Sequence, residues 1–388
     1  MNRETIARRE FLALSVAAGA LAGSRSSAGS SRASWRLFSR GRIGKLEIAK
    51  RLARAATAEN AWRESRMTDE GIGLYRGLAA GGVGLVITGY MGVTREGRAR
   101  DSMTLVCEDR FVDGLSRIAR VVHDTNGECK VVAQLGHVGM QTEVSEPVGP
   151  TTTVWPHAKA KPRALATREV EAIVASFAQA ARRAREAGFD GVELHGAHGY
   201  LLSSFLSPFT NTRTDKYGGS LEKRATVVRE IVSEARALVG PDFPILIKVN
   251  GDDFVPGGTD VDSFPQLASE IEKAGVQALE VSGNNPVRGS VRAEGESYFL
   301  DYARRLSLAI PVILTGGNRS VERLEKIAQA GRPDFFGLAR PLLREPDLPT
   351  RWREGRGAPE AACISCNRCI RGFGKGLPTR CRVGESDL

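Results

Sequence analysis

The chain has 388 residues, 41% of them hydrophobic, and a formal net charge of +10. That is ample for one large core, and α/β barrels commonly exceed about 250 residues as a single domain. No run approaches the roughly 18 to 20 apolar residues that span a bilayer, and the positive charge lacks the aromatic-interleaved basic runs of a nucleic-acid binder; neither role is expected.

Residues 1–34 read as a targeting segment and linker, with five arginines against two glutamates, so +3 of the net charge. Arg8-Arg9-Glu10-Phe11-Leu12 is a twin-arginine signature. The apolar run that follows, 11–22, is too short and too rich in small residues for a membrane span, and Ala20-Leu21-Ala22 and Ser26-Ser27-Ala28 are candidate cleavage sites. Export by the Tat machinery to the periplasm is expected. That route carries folded proteins, which suits a chain that takes up a tightly bound prosthetic group first.

From Arg51 onward, strand-like apolar runs alternate with amphipathic helical runs. Strands are expected at 52–56, 83–88, 131–135, 191–194, 245–249, 278–281, 312–315 and 335–338. Clear helical patterns occupy 167–187, 221–238, 262–273 and 321–330, and Ala187-Gly188 and Ala330-Gly331 are stop signals. Eight βα units predict an α/β fold, a parallel sheet closed as a (β/α)8 TIM barrel over 35–355. An open doubly wound sheet is the alternative, but it gives no reason for eight units. Long loops at 139–166, 198–216 and 283–298 would lie at the C-terminal face, where barrels build active sites.

The fourth strand runs into His195-Gly196-Ala197-His198-Gly199-Tyr200. Imidazole N–H groups can hold a carbonyl oxygen as it gains negative charge, and a phenol can act as general acid. The structural alternative is a set of satisfied polar groups at a strand end. Thr315-Gly316-Gly317-Asn318 after strand seven and Leu338-Ala339-Arg340 after strand eight form a barrel's phosphate corner, with Arg340 able to fork onto the phosphate; a turn and a surface arginine are the alternative. Lys248 lies inside a barrel strand, where a charge is costly unless it faces a partner. That partner is either a structural carboxylate or a bound anionic group.

The stretch after His195 continues as Leu201-Leu202-Ser203-Ser204-Phe205-Leu206-Ser207-Pro208, then Asn211-Thr212-Arg213 and Asp215-Lys216-Tyr217-Gly218-Gly219-Ser220. It resembles the Old Yellow Enzyme family of FMN-dependent ene-reductases, most of all the branch with 2,4-dienoyl-CoA reductase and trimethylamine dehydrogenase. The resemblance covers Trp35 to the C-terminus. It implies FMN, NAD(P)H as a reductant and an α,β-unsaturated carbonyl substrate. His195 and His198 would polarise the carbonyl, and Tyr200 would protonate the α-carbon. Ala55, Ala56 and Thr57 would border flavin N5 and O4, Gln134 the pyrimidine edge, and Lys248 the N1–O2 side. Gly89 and Tyr90 would add a further contact, and Gly316, Gly317, Ala339 and Arg340 would hold the phosphate. The family's usual Pro-Met is replaced here by Ala55-Ala56. The resemblance also admits a dehydrogenase passing electrons to a partner; a non-catalytic electron carrier would have no need of the histidine pair.

Cys107 and Cys129 read as buried small residues. Cys363, Cys366 and Cys369, with Cys381 twelve positions later, follow the three-close, one-remote logic of a [4Fe–4S] motif over an extension at 356–388. The branch carries a similar motif just after its barrel. Zinc, or an empty or disulfide-linked motif, are the alternatives. The basic residues around it, including Arg351, Arg368, Arg371 and Arg382, would offset thiolates, dock an acidic electron-donor protein, or form a solvated tail. Multidomain relatives continue into a module that feeds the cluster, whereas this chain stops at Leu388, so electrons are expected from NAD(P)H or a separate donor. With no cysteine near strand one, covalent flavin and amine oxidation are not expected.

Overall fold

A computed structural model describes residues 31–156, 158, 160–283 and 295–385. The twin-arginine stretch and most of the 283–298 loop lie outside the described residues. Eight parallel strands form the barrel: β1 Leu52–Arg54, β2 Leu85–Ile87, β3 Lys130–Gly136, β4 Gly191–Gly196, β5 Ile245–Asn250, β6 Ala278–Ser282, β7 Val312–Thr315 and β8 Phe335–Leu338. Each pairs with the next, and β8 closes on β1 with Phe336 opposite Leu52 and Leu338 opposite Arg54.

The helices between strands are α1 Asp69–Ala80, α2 Val112–Thr125, α3 Thr167–Glu186, α4 Thr226–Val239, α5 Phe264–Lys273, α6 Leu300–Arg304 and α7 Val321–Gln329. After β8 come α8 Arg340–Arg344, α9 Leu348–Arg353 and α10 Arg368–Gly374. Local chemistry sets their ends. Thr68 and Ser320 accept the Gly71 and Arg323 amides as N-caps of α1 and α7. The helix expected from 262 starts at Phe264, because the Asp260 carboxylate takes the Asp262 and Ser263 amides into a turn. The run 221–238 forms two helices, Leu221–Arg224 and α4, joined at Ala225. β1 is shorter than 52–56, since the chain leaves the ladder after Arg54, whose guanidinium holds the Thr57 carbonyl at 2.8 Å.

Strand side chains alternate in and out of the barrel. The lower interior layer is apolar: Ala53, Leu85, Ile87, Val132, Leu246, Ala278, Ile313 and Phe335 pack together. A hairpin, Gly41–Ile43 and Leu46–Ile48, plugs the N-terminal mouth by placing Ile43 and Ile48 in that layer. One step up each strand the interior turns polar, with Gln134, Glu193, Lys248, Glu280 and Thr315. Among the described residues no helix is long and apolar enough to cross a membrane.

Truncating a side chain of the apolar layer tests this layering. Phe335→Ala should lower the unfolding free energy by about 3–5 kcal/mol, whereas Leu238→Ala on the exposed side of α4 should change it by less than about 0.5 kcal/mol. Urea unfolding of the two variants reads the difference.

Candidate active site

Period-two alternation places His195 two residues above Glu193, on the inward face at the C-terminal end of β4. The chain then turns sharply: His198 and Gly199 adopt left-handed backbone, with φ of 64° and 70°. Asn250 at the end of β5 fixes that turn. Its Oδ1 accepts the His198 amide at 2.9 Å, while its Nδ2 donates to Ser203 Oγ at 3.0 Å and Asp253 Oδ1 at 2.8 Å. Ser282 at the end of β6 holds the ring, 2.8 Å from His198 Nε2.

The three residues of the motif meet. The His195 ring lies edge-on to His198 at 5.0 Å and to Tyr200 at 4.8 Å between centroids. Tyr90 closes the cluster, 5.4 Å from Tyr200 and 6.0 Å from His195. Burial, then the charges of His198 and Lys248, push the His195 imidazole well below the usual histidine range, so it is neutral. Its Nδ1 is buried with no hydrogen-bond partner, an atom that calls for a ligand. Burial raises the Tyr200 phenol above its usual range and keeps it protonated.

Beside this cluster opens a cavity of about 250 Å³ at the C-terminal ends of β1, β5, β7 and β8. Ala55, Ala56, Thr57, His198, Lys248, Gly316, Gly317, Ala339 and Arg340 all line it, so the strand-one end and the corner after β7 and β8 come together. Gly316 and Gly317 have φ of 119° and 71°, and a Cβ on either would lie within 2.7 Å of the Tyr298 ring. Both the backbone conformation and the packing therefore require glycine. Arg340 reaches Asn367 in the extension.

Gly89 and Gln134 are not in the cavity wall; they support it. A Cβ on Gly89 would lie 2.2 Å from Glu59 Oε2 and 2.7 Å from the Thr57 carbonyl, so glycine lets the strand-one end pack against β2. The Gln134 amide donates to Glu193 Oε1 at 2.7 Å. Lys248 lines the cavity, and of the two kinds of partner considered for it the structural carboxylate is present twice: its Nζ is 3.2 Å from Glu280 Oε1 and 3.8 Å from Glu193 Oε1. Those two glutamates were missed, although each is a charge inside a barrel strand, the same signal that marks Lys248. Glu59 was missed too. Its Oε1 takes Tyr75 OH at 2.5 Å, the Gly89 amide at 2.7 Å and Arg54 Nη2 at 3.2 Å. Nothing in the spacing of 54, 59 and 75 announces that hub.

The extension forms the outer wall. Ser365, Cys369, Ile370, Phe373 and Thr379 face the cavity. It docks on the loop after β1 through Asn60 Nδ2 to the Leu377 carbonyl and the Thr379 amide to the Glu59 carbonyl, both 2.9 Å. Cys363, Cys366, Cys369 and Cys381 are half-buried free thiols. Burial, reinforced by Cys363 and Cys366 and opposed by Arg340, raises the Cys369 thiol. Cys381 Sγ lies 3.6 Å from Arg344 Nη1. Among the described residues no three of His, Cys, Asp or Glu stand together as a metal-ligand set.

Comparison with known proteins supplies the family. Residues 36–358 match the NADH:flavin oxidoreductase / NADH oxidase family. A metal reductase of Desulforamulus reducens is 36% identical over 357 residues, covering 89% of this chain and 53% of that protein. An NADH oxidase of Thermoanaerobacter brockii is 37% identical over 362 residues, covering 89% of this chain and 55% of its own length. The chain thus spans about half the length of these relatives. A 2-naphthoyl-CoA reductase solved with 2-naphthoyl-CoA superposes with a TM-score of 0.84 at 26% identity, over 89% of this chain and 56% of that one. Matching over most of its length, with a closed βα barrel and a glycine-lined cavity at its C-terminal face, the chain belongs to the NADH:flavin oxidoreductase / NADH oxidase family of FMN-dependent oxidoreductases.

Proposed function

We propose that the chain reduces a C=C bond conjugated to a carbonyl, with electrons from NAD(P)H carried on FMN. The observation that carries this reading is the His195–His198–Tyr200 cluster standing beside a cavity that Lys248 and Arg340 line. The cavity fits the cofactor by its donor set. Arg340 and the backbone amides of Gly316 and Gly317 suit a phosphate. Lys248 suits a ring that gains negative charge, and Ala55, Ala56, Ala58 and Phe373 offer apolar walls. Thr57 and Ala339 line the cavity as well, whereas Gln134 stands behind its wall with its amide donating to Glu193.

When bound, FMN supplies hydride transfer to the β-carbon. The protein's part is positioning and electrostatics. Neutral His195 donates from one ring nitrogen to the substrate carbonyl oxygen, and His198, its ring held by Ser282, does the same. Both gain strength as that oxygen takes up charge. Tyr200, kept protonated by burial, delivers the proton to the α-carbon. The 2-naphthoyl-CoA bound by the structural relative is itself an unsaturated carbonyl compound, which supports this substrate class.

The reading assigns Cys363, Cys366, Cys369 and Cys381 to a [4Fe–4S] electron-entry centre on their residue type and spacing; as placed here no three of them meet as a ligand set, so they would have to close on the metal. Cys369 lines the same cavity as Lys248, and the four thiols are the donor set such a cluster uses. A separate electron-donor protein is the partner this implies. The twin-arginine stretch supports Tat export to the periplasm, which cell fractionation tests.

Three outcomes are expected. His195→Ala/His198→Ala should keep FMN, read by absorbance, while enone turnover falls about 10²- to 10³-fold; unchanged turnover would refute the assignment. Tyr200→Phe should slow turnover by about 10²- to 10⁴-fold. Because the phenol is raised, wild-type rates limited by this proton should fall only above pH about 10, and the variant should lack that alkaline limb. Anaerobically purified protein should hold about four iron and four sulfide per chain; zinc, or no metal, would remove the cluster.

A further inference from the structure

Two carboxylates beside Lys248 have no task in the chemistry above. Glu193 and Glu280 are both 0% exposed and flank Lys248 on the neighbouring strands β4 and β6. Each commits one oxygen. Glu193 Oε1 accepts from Gln134 at 2.7 Å, and Glu280 Oε1 accepts from Thr315 Oγ1 at 2.6 Å, with Lys248 Nζ between the two carboxyls. Each Oε2 is buried and has no hydrogen-bond partner among the other groups.

Two orphaned anionic oxygens in a dry layer are costly. Two carboxylates against one ammonium also leave an uncompensated buried charge. A carboxyl that keeps its proton becomes a donor, and the two carboxyls converge on one Lys248 Nζ, at 3.2 Å and 3.8 Å. A single proton between them serves both orphan atoms and removes the repulsion of like charges.

The groups facing the pair permit this. Gln134 on β3 and Thr315 on β7 are neutral, and burial keeps His195 on β4 uncharged. Lys248 on β5 is the adjacent cation, and Arg54 on β1 is matched by Glu59. Burial first, then the charge of Glu280, holds the Glu193 carboxyl well above the ordinary carboxylate range, against the pull of Lys248.

We infer that Glu193 and Glu280 share one proton, form a one-to-one ion pair with Lys248, and so set the net charge beneath the cofactor at zero. Only the naming of the cofactor rests on the proposed function. The pair are positioning residues, holding Lys248 against the cavity with its charge balanced from one side only.

Infrared spectroscopy of the full chain tests this directly. Wild type should show the carbonyl band of a protonated carboxylic acid at neutral pH, shifting in D₂O, and this band should survive Asp253→Asn, which removes the other deeply buried acid raised by burial. Glu193→Gln and Glu280→Gln should each abolish it, since the remaining carboxyl ionises beside Lys248 while the new amide donates to its Oε2. A wild type without the band, or either glutamine variant that keeps it, overturns the proposal. The FMN midpoint potential supplies a second reading. A shared proton gives the pair one negative charge, and each single glutamine variant keeps that charge. The single variants should therefore leave the potential at pH 7 unchanged, and Glu193→Gln/Glu280→Gln should raise it. Two ionised carboxylates would instead make each single variant raise it. A chain that binds no flavin would sink the functional reading and leave the infrared result standing.

Discussion

Lys248, held between two fully buried carboxylates, is the contact on which the upper half of the barrel depends. A closed barrel has no solvent inside, so a charge on an inward position must be balanced within the same layer. That requirement places Glu280 opposite Lys248 in the strand register, His195 opposite it on the other side, and Gln134 opposite Glu193. Thr315 completes the ring from β7. The apolar layer below, plugged by the hairpin, excludes water from beneath and makes the balance obligatory.

The His195–His198–Tyr200 cluster sits on this polar floor. The His198 turn is left-handed and would not persist without over-determination. Asn250 and Ser282, from the next two strands, supply it by fixing the amide and the ring. On the opposite rim, Glu59 gathers Arg54, Tyr75 and the Gly89 amide, which locks the strand-one end against β2. The two sides of the cavity are thus held by separate buried networks, and each fixes backbone as well as side chains.

The extension changes what kind of barrel this is. Its Phe373 and Ile370 wall the cavity, its Asn367 meets Arg340, and Arg100 both stacks on the Phe373 ring and bonds its carbonyl at 2.6 Å. The cysteine-bearing segment is therefore part of the cavity wall and in contact with Arg340. Of its four cysteines, Cys369 lines the same cavity as Arg340.

The sequence by itself determined the eight βα units, the strand-end position of His195, His198 and Tyr200, the glycine pair after strand seven and the significance of a lysine inside a strand. These are local signals: hydrophobic period, stop residues, and a charge where a strand should be apolar. Only the tertiary structure decided that Glu193 and Glu280 close on Lys248, that Gly89 and Gln134 support the cavity from behind, that Glu59 joins two loops, and that residues 365–379 wall a cavity begun at residue 55. Those facts depend on which strands become neighbours when the barrel closes. Strand register pairs residues distant in the chain, Lys248 with Glu280 and, at the closure, Leu52 with Phe336, and no local spacing encodes that.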